Sequence, residues 1–177
     1  FIKRLFDIVV ASLLLIAAAP FILFSIAMIA VGSPGSFFYT QERLGKNGKT
    51  FKIIKLRSMY QDAEAKGPQL SSENDSRITP WGRTMRKFRL DELPQFMNVL
   101  KGDMAIVGPR PERPVFVEQF REEIPKYMEK HLVKAGMTGW AQVNGWRGDT
   151  DLTSRIEHDL YYIDNWSIWL DFKIIVM

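Results

Sequence analysis

IVVASLLLIAAAPFILFSIAMIAV, the run from Ile8 to Val31, holds 24 residues without a charge. As a straight helix it reaches roughly 36 Å, enough to cross a hydrocarbon core with some tilt. Two features argue against a simple span. Pro20 stands mid-run, where it removes a backbone hydrogen bond and bends or breaks the helix. Both flanks are basic, with Lys3 and Arg4 before the run and Arg43, Lys46, Lys49, Lys52, Lys55 and Arg57 after it. Cationic flanks prefer the cytoplasm, so both ends belong on one side. The expectation is therefore a re-entrant helix-break-helix over residues 1–32, broken at Pro20, that enters and leaves the same leaflet. A kinked span is the competing reading. A signal peptide fits poorly, because no small-residue cleavage site leads into a cysteine-bearing domain.

Residues 33–177 are enough for one compact domain. Phe37 to Leu44 and Lys49 to Arg57 are β-prone runs joined by Gly45-Lys46-Asn47-Gly48, the pattern of a small hairpin whose second strand turns Lys52 and Lys55 to one side. Residues 61–80 are polar and rich in turn formers, which predicts a surface loop and a lid over a site. Helices are expected over Trp81–Phe88, over Leu93–Leu100 with Leu93, Phe96, Met97 and Leu100 inward, over Val115–Lys130 with an interruption near Pro125, and over Leu152–Ile163 capped by Thr150 or Asp151. The Trp166–Met177 tail either lies in a bilayer interface or packs on the domain. The fold class expected is α+β, mainly helical, on a membrane anchor. A start at Phe1 and a stop inside an apolar run lead us to expect a fragment of a larger chain. The absence of cysteine excludes a disulfide framework and thiolate metal sites, and the formal net charge of +4 favours anionic partners.

Chemistry concentrates between Arg77 and Arg113. Arg77, Arg83, Arg86, Lys87 and Arg89 lead into the adjacent carboxylates Asp91 and Glu92, and a Pro-rich turn brings back Arg110 and Arg113. Guanidinium groups neutralise a diphosphate in bidentate geometry. Carboxylates beside them repel the same phosphates, so they suit a nucleophile or the ligands of a divalent metal bridging protein and phosphate. Acidic residues before an apolar run are also ordinary helix-start chemistry, and a basic run is often only a solvated face. Val107-Gly108-Pro109-Arg110-Pro111-Glu112 is a rigid turn, since its prolines fix φ and delete donors. The glycines of Gly136 to Gly148 serve either close approach to a ligand or tight turning. Asp149-Thr150-Asp151 has the acid-x-acid form of a glycosyltransferase metal site but doubles as a helix cap. Gly45 to Thr50 lacks the spacing of a phosphate loop. His131 and His158 have no metal-ligand spacing.

These strings together resemble the bacterial sugar transferases, the monotopic phosphoglycosyl transferases that act on polyprenyl phosphate. The resemblance runs through nearly the whole chain: Lys3-Arg4-x-x-Asp7 before a Pro-broken apolar helix, Gln41-Glu42-Arg43-Leu44-Gly45, Lys55-Leu56-Arg57-Ser58-Met59, Leu90-Asp91-Glu92-Leu93-Pro94-Gln95, Asn98-Val99-Leu100-Lys101-Gly102-Asp103-Met104 and Val107-Gly108-Pro109-Arg110-Pro111. It implies a monotopic catalytic domain on the cytoplasmic face of the bacterial inner membrane. Asp91 would attack the sugar-bearing phosphate of a UDP-sugar, releasing UMP and leaving a phosphosugar on the carboxylate for undecaprenyl phosphate to collect. Glu92 would assist as a base or metal ligand, with Mg²⁺ held by Asp91 and Glu92. Arg86, Arg89, Arg110, Lys55 and Arg57 are the expected phosphate contacts. Gly139 to Gly148 looks like the undecaprenyl-phosphate glucose phosphotransferases of exopolysaccharide pathways, so glucose-1-phosphate is the expected cargo, with galactose or N-acetylhexosamine phosphate as the alternative. The implied partners are a UDP-sugar, undecaprenyl phosphate and the bilayer, with no nucleic acid, and a homo-oligomer is compatible with them. A non-catalytic, membrane-tethered binder of polyanions is the competing class.

Overall fold

The computed structural model describes residues 2–65, 67, 69, 75–148 and 150–177. Helix α1 covers Ile2–Gly32 and keeps Pro20 inside it. The expected helix-break-helix is thus one continuous helix, and any redirection at Pro20 is a bend within it. A proline deletes one donor and crowds one carbonyl, and good helix formers beside it (Ala17, Ala18, Ala19) absorb that disturbance. Among the described residues α1 is the one helix long and apolar enough to cross a membrane.

Polar contacts fix both ends of α1 to the same body. Near its start, Arg4 donates to the carbonyls of Val99 and Leu100 (2.5 and 2.8 Å), and the Asp7 carboxylate accepts from the Ile106 N–H at 3.0 Å. Lys3 reaches Val107 O and the buried Asp171 carboxylate. Past its end, the Arg57 guanidinium donates to Ser33 O and Pro34 O, both at 2.7 Å. Between these ties Ala11 sits in the main core, and Ile22, Ile26 and Ile29 pack on Leu56, Met85, Trp81 and Leu90. Leu13, Ile16, Phe21, Leu23 and Phe24 are left exposed.

The hairpin forms as read. Strands β1 (Phe38–Leu44) and β2 (Thr50–Leu56) pair antiparallel, with Phe38 opposite Leu56 and Leu44 opposite Thr50. Helix α2 (Pro80–Phe88) starts where Thr79 Oγ1 accepts from the Gly82 N–H and Pro80 holds the first position. Helix α3 (Gln95–Lys101) begins later than expected, because a 3-10 turn occupies Leu90–Glu92. Its buried face also differs: Phe96 is inside as read, but Met97 is exposed while Gln95, Asn98 and Val99 are buried. Polarity misled the reading at Asn98. Its amide accepts from the Ile54 N–H (3.0 Å) and donates to Lys52 O (2.8 Å), so it closes the free edge of β2 as a third strand would.

A second sheet was not anticipated. Strands β3 (Met104–Val107) and β4 (Ala135–Thr138) run parallel, and every residue of β3 is buried, which erases the alternation that marks a half-exposed strand. Helix α4 (Pro114–Glu123) and a 3-10 turn (Tyr127–Leu132) flank Pro125, the expected interruption. The short helix α5 (Trp140–Val143) leads to α6 (Leu152–Asp164), capped by Asp151, and to α7 (Ile168–Val176). The tail packs on the domain through α7, whose Asp171 and Ile174 face inward while Trp169, Phe172 and Val176 stay exposed. The result is α+β and mainly helical. The loop expected over residues 61–80 and the acid-x-acid pair at Asp149 lie partly outside the described residues.

Candidate active site

Three elements converge on Asp91 and Glu92. Helix α2 ends at Arg89 in the left-handed conformation (φ 57°), which turns the chain sharply and delivers the 3-10 turn carrying both carboxylates against β2. Strand β2 contributes Lys55. The turn after β3 contributes Arg110, and its position depends on a close backbone crossing. A side chain on Gly108 would strike Lys134 O at 2.5 Å and Gly136 N at 3.0 Å, so β3 and β4 can meet at this height only without a Cβ there. Of the glycines read as serving a ligand or a turn, Gly136 and Gly139 lie against the backbone of Gly108, while Gly145 and Gly148 take positive φ and serve a turn.

Glu92 gathers cations. Its Oε1 accepts from Lys55 Nζ and from Arg110, and its Oε2 from Arg147, all at 2.9 Å. Burial alone would raise the Glu92 carboxyl, but Arg110 and Lys55 outweigh it and hold the group far below the usual carboxylate range. Asp91 is the opposite case. It is 7 % exposed, and no side chain among the described residues hydrogen-bonds or pairs with it. Burial pushes its carboxyl up, Lys55 and Arg86 pull against that, and the charge of Glu92 adds to the rise. Two adjacent carboxylates thus have opposite electrostatics, an arrangement typical of sites that assign distinct roles to paired acids.

Both line a cavity of about 520 Å³. Its described walls hold nine cationic side chains against four carboxylates, so it is built for an anion. All five expected phosphate contacts (Arg86, Arg89, Arg110, Lys55 and Arg57) border it. They are not equally committed to it. Arg86 also donates to Ser58 Oγ (2.8 Å), Lys55 and Arg110 are on Glu92, and Arg57 spends both terminal nitrogens on the carbonyls after α1. Arg147 was missed as a site residue. It lies 55 positions from Glu92 in the chain, and its signal was the flanking Gly145 and Gly148, which mark a turn able to aim a side chain. A second cavity of about 360 Å³, mostly apolar, is lined by Met28, Ile29, Val31, Pro80 and Trp81 and meets the first at Arg57.

The metal expectation is tested by the same geometry. No group of three His, Cys, Asp or Glu converges among the described residues. Asp91 offers an open carboxylate, while Glu92 already serves three cations. That donor set suits Mg²⁺ held largely by water and substrate phosphate with one carboxylate from the protein, a common arrangement for this ion.

The bacterial sugar transferase family profile matches residues 1–177. The chain is 49% identical over 177 residues to the UDP-N-acetylgalactosamine-undecaprenyl-phosphate N-acetylgalactosaminephosphotransferase of Aeromonas hydrophila, a match covering 99% of this chain and 42% of that protein. It is 45% identical over 180 residues to the UDP-glucose:undecaprenyl-phosphate glucose-1-phosphate transferase of Escherichia coli (strain K12), covering 99% of this chain and 39% of that one. Against the exopolysaccharide production protein PSS of Rhizobium leguminosarum bv. phaseoli the figures are 42% over 182 residues, 98% of this chain and 91% of that protein. The chain thus spans well under half the length of the first two relatives. With residues 1–177 all inside that match, the chain belongs to the bacterial sugar transferase family.

Proposed function

We propose that this chain moves glucose-1-phosphate from UDP-glucose to undecaprenyl phosphate, giving undecaprenyl-diphosphate-glucose and UMP, as the first membrane step of exopolysaccharide or capsule synthesis. The observation that carries the reading is Asp91: a buried carboxylate that no side chain among the described residues pairs with, beside a carboxylate that organises three cations, in a cavity whose described walls carry a surplus of positive charge. N-acetylgalactosamine phosphate is the second reading for the cargo, favoured by the name of the 49% relative.

The chemistry balances in two displacements. An Asp91 carboxylate oxygen forms a bond to the sugar-bearing phosphorus, the bond from that phosphorus to the bridging oxygen breaks, and UMP departs with the electron pair. A phosphate oxygen of the lipid then attacks the same phosphorus, the bond to Asp91 breaks, and the carboxylate returns unchanged. Attack requires ionised Asp91, which its neighbours Lys55 and Arg86 favour against burial. Glu92 holds Lys55, Arg110 and Arg147 where phosphate oxygens develop charge, which makes it a poor proton acceptor and a good organiser. Asp91 is the residue that would hold Mg²⁺, whose chemistry there would be neutralisation of phosphate charge.

The proposed membrane placement rests on α1. A single-pass helix leaves one end beyond about 30 Å of hydrocarbon from its domain. Here Arg4 and Asp7 at one end, and Ser33 and Pro34 at the other, bond to the same body, which supports a monotopic anchor that dips its exposed middle into one leaflet. The apolar cavity beside Ile29 and Trp81 gives the lipid a path toward Arg57 and the reacting phosphate. We place the domain on the cytoplasmic face, where UDP-sugars are made.

Nucleotide release from UDP-sugars, with undecaprenyl phosphate and Mg²⁺, tests the reading. UMP is the expected product, and Asp91→Asn abolishes it. Release of UDP, or full UMP release by Asp91→Asn, refutes it.

A further inference from the structure

Two of the three cations on Glu92 come from segments that are neither helix nor strand: Arg110 from residues 109–113, and Arg147 from the turn over residues 144–148. A segment without ladder or helical bonds of its own holds a side chain only as well as it is tied to something rigid. Both segments are tied to one guanidinium. On α6, Arg155 donates from Nη1 to Glu112 Oε1 (3.3 Å), two residues from Arg110, and from Nη2 to the Gly148 carbonyl (2.6 Å), next to Arg147. The same Nη2 reaches Thr150 Oγ1 at 3.3 Å. Helix α6 is a firm post for it. Asp151 caps its start by accepting from the Ser154 N–H at 2.7 Å, and Ile156, adjacent to Arg155, is buried among Leu44, Val117, Ile124 and Tyr127. Among the described residues, Glu112 and Arg147 line the cavity and Arg155 does not, so it reaches the chemistry only through them.

We propose that Arg155 is a positioning residue for phosphate transfer: by bridging the Glu112 carboxylate to the Gly148 carbonyl it locks the two segments together and so sets Arg110 and Arg147 on Glu92. The proposal rests on the transferase reading above. Two physical effects make the bridge matter. The first is geometric. A guanidinium is planar and its two terminal nitrogens diverge, so it joins acceptors on separate segments, whereas an ammonium offers one compact point of charge. The second is electrostatic. Glu92 most strongly, and Glu112 after it, raise the Arg110 guanidinium above its ordinary value, so both carboxylates pull on Arg110. With Glu112 held by Arg155, Arg110 is left to Glu92 at 2.9 Å. An unheld Glu112 brings an uncompensated negative charge to the wall of an anion cavity and draws Arg110 off Glu92. The Arg155 and Glu112 side chains are each 12% exposed, which shields the pair from the solvent that weakens surface ion pairs.

The test uses the chain in nanodiscs, with kcat and KM from UMP release and Tm from thermal unfolding, each variant assayed well below its own Tm. Arg155→Lys keeps a positive charge beside Glu112 but cannot span both segments. Its Tm stays close to wild type while kcat falls about tenfold or more, and KM for the UDP-sugar rises by less than kcat falls, as expected when charged groups near the reacting phosphorus are displaced. Arg155→Gln loses both stability and kcat. Ile156→Val, the next residue on the same helix, is the control for loosened packing: it lowers Tm and leaves kcat in place. If Arg155→Lys transfers at the wild-type rate, or if Ile156→Val lowers kcat as far as Arg155→Lys does, Arg155 only stabilises the fold; the proposal is then overturned and the transferase reading stands. A wild type that releases no UMP from any UDP-sugar overturns the transferase reading itself, and the positioning role with it.

Discussion

Replacing Glu92 with Gln keeps the shape of the side chain and removes the charge on which Lys55, Arg110 and Arg147 converge. The Glu92 side chain is 12% exposed and its partners 16%, 26% and 23%, so the cluster lies between a fully buried pair and a surface one. Breaking a buried pair costs about 3–5 kcal/mol and an exposed one under about 1 kcal/mol. Gln still accepts with one oxygen, which places the expected loss at about 3 kcal/mol. For a domain of this size that lowers Tm by roughly 6–12 °C. The sign of the pH dependence follows from the direction of the shift. A depressed carboxyl contributes stability that is fully present above its unfolded value of 4.5 and is lost as pH falls through the folded one. The gap between wild type and Glu92→Gln is therefore constant near neutrality and closes in acid.

Asp91→Asn supplies the opposing half of the experiment. A raised carboxyl contributes stability in its protonated form, which is lost as pH rises through the folded value, so at neutral pH the ionised group costs stability. Asn relieves that cost, and Tm stays level or rises while transfer disappears. Both variants are read by thermal unfolding in one detergent at one scan rate. Equal destabilisation by the two variants, or a Glu92→Gln protein as stable as wild type at pH 7, would show that the carboxylates do not divide their roles.

Three further outcomes follow from the same geometry. Gly108→Ala forces a methyl group into the backbone of Lys134 and Gly136, so it separates β3 from β4, lowers stability by about 1–3 kcal/mol and raises KM for the UDP-sugar through a displaced Arg110, measured by unfolding and steady-state kinetics. Asn98→Leu leaves the Ile54 N–H and the Lys52 carbonyl without their partner, with an expected cost of about 3 kcal/mol by denaturant titration and no change in the pH profile of transfer. For topology, single cysteines at Ile2 and at Lys49 should react with an impermeant maleimide from the same side of sealed vesicles; labelling from opposite sides defeats the monotopic anchor.

What could be read from the sequence was whatever local chemistry decides. The hairpin announced itself because Asn47 and Gly48 supply two consecutive positive-φ residues between alternating runs, and Asp151 marked a helix start by its acceptor rule. Asp91 was legible because a carboxylate among guanidiniums has few uses. The parallel pair β3 and β4 was illegible for the converse reason: four buried residues carry no period, and their partner lies about thirty positions away. Arg57 and Arg147 exchange expected importance on the same ground. Both are arginines in suggestive strings, yet whether a guanidinium meets a helix end or a carboxylate is settled by the path of distant backbone, through Ser33 for one and through the turn after α5 for the other. The division extends to the dyad. Adjacent residues with near-identical intrinsic acidity acquire opposite charge preferences only because one of them faces three cations brought from residues 55, 110 and 147, so the chemical difference between Asp91 and Glu92 is a property of the fold and not of the dipeptide.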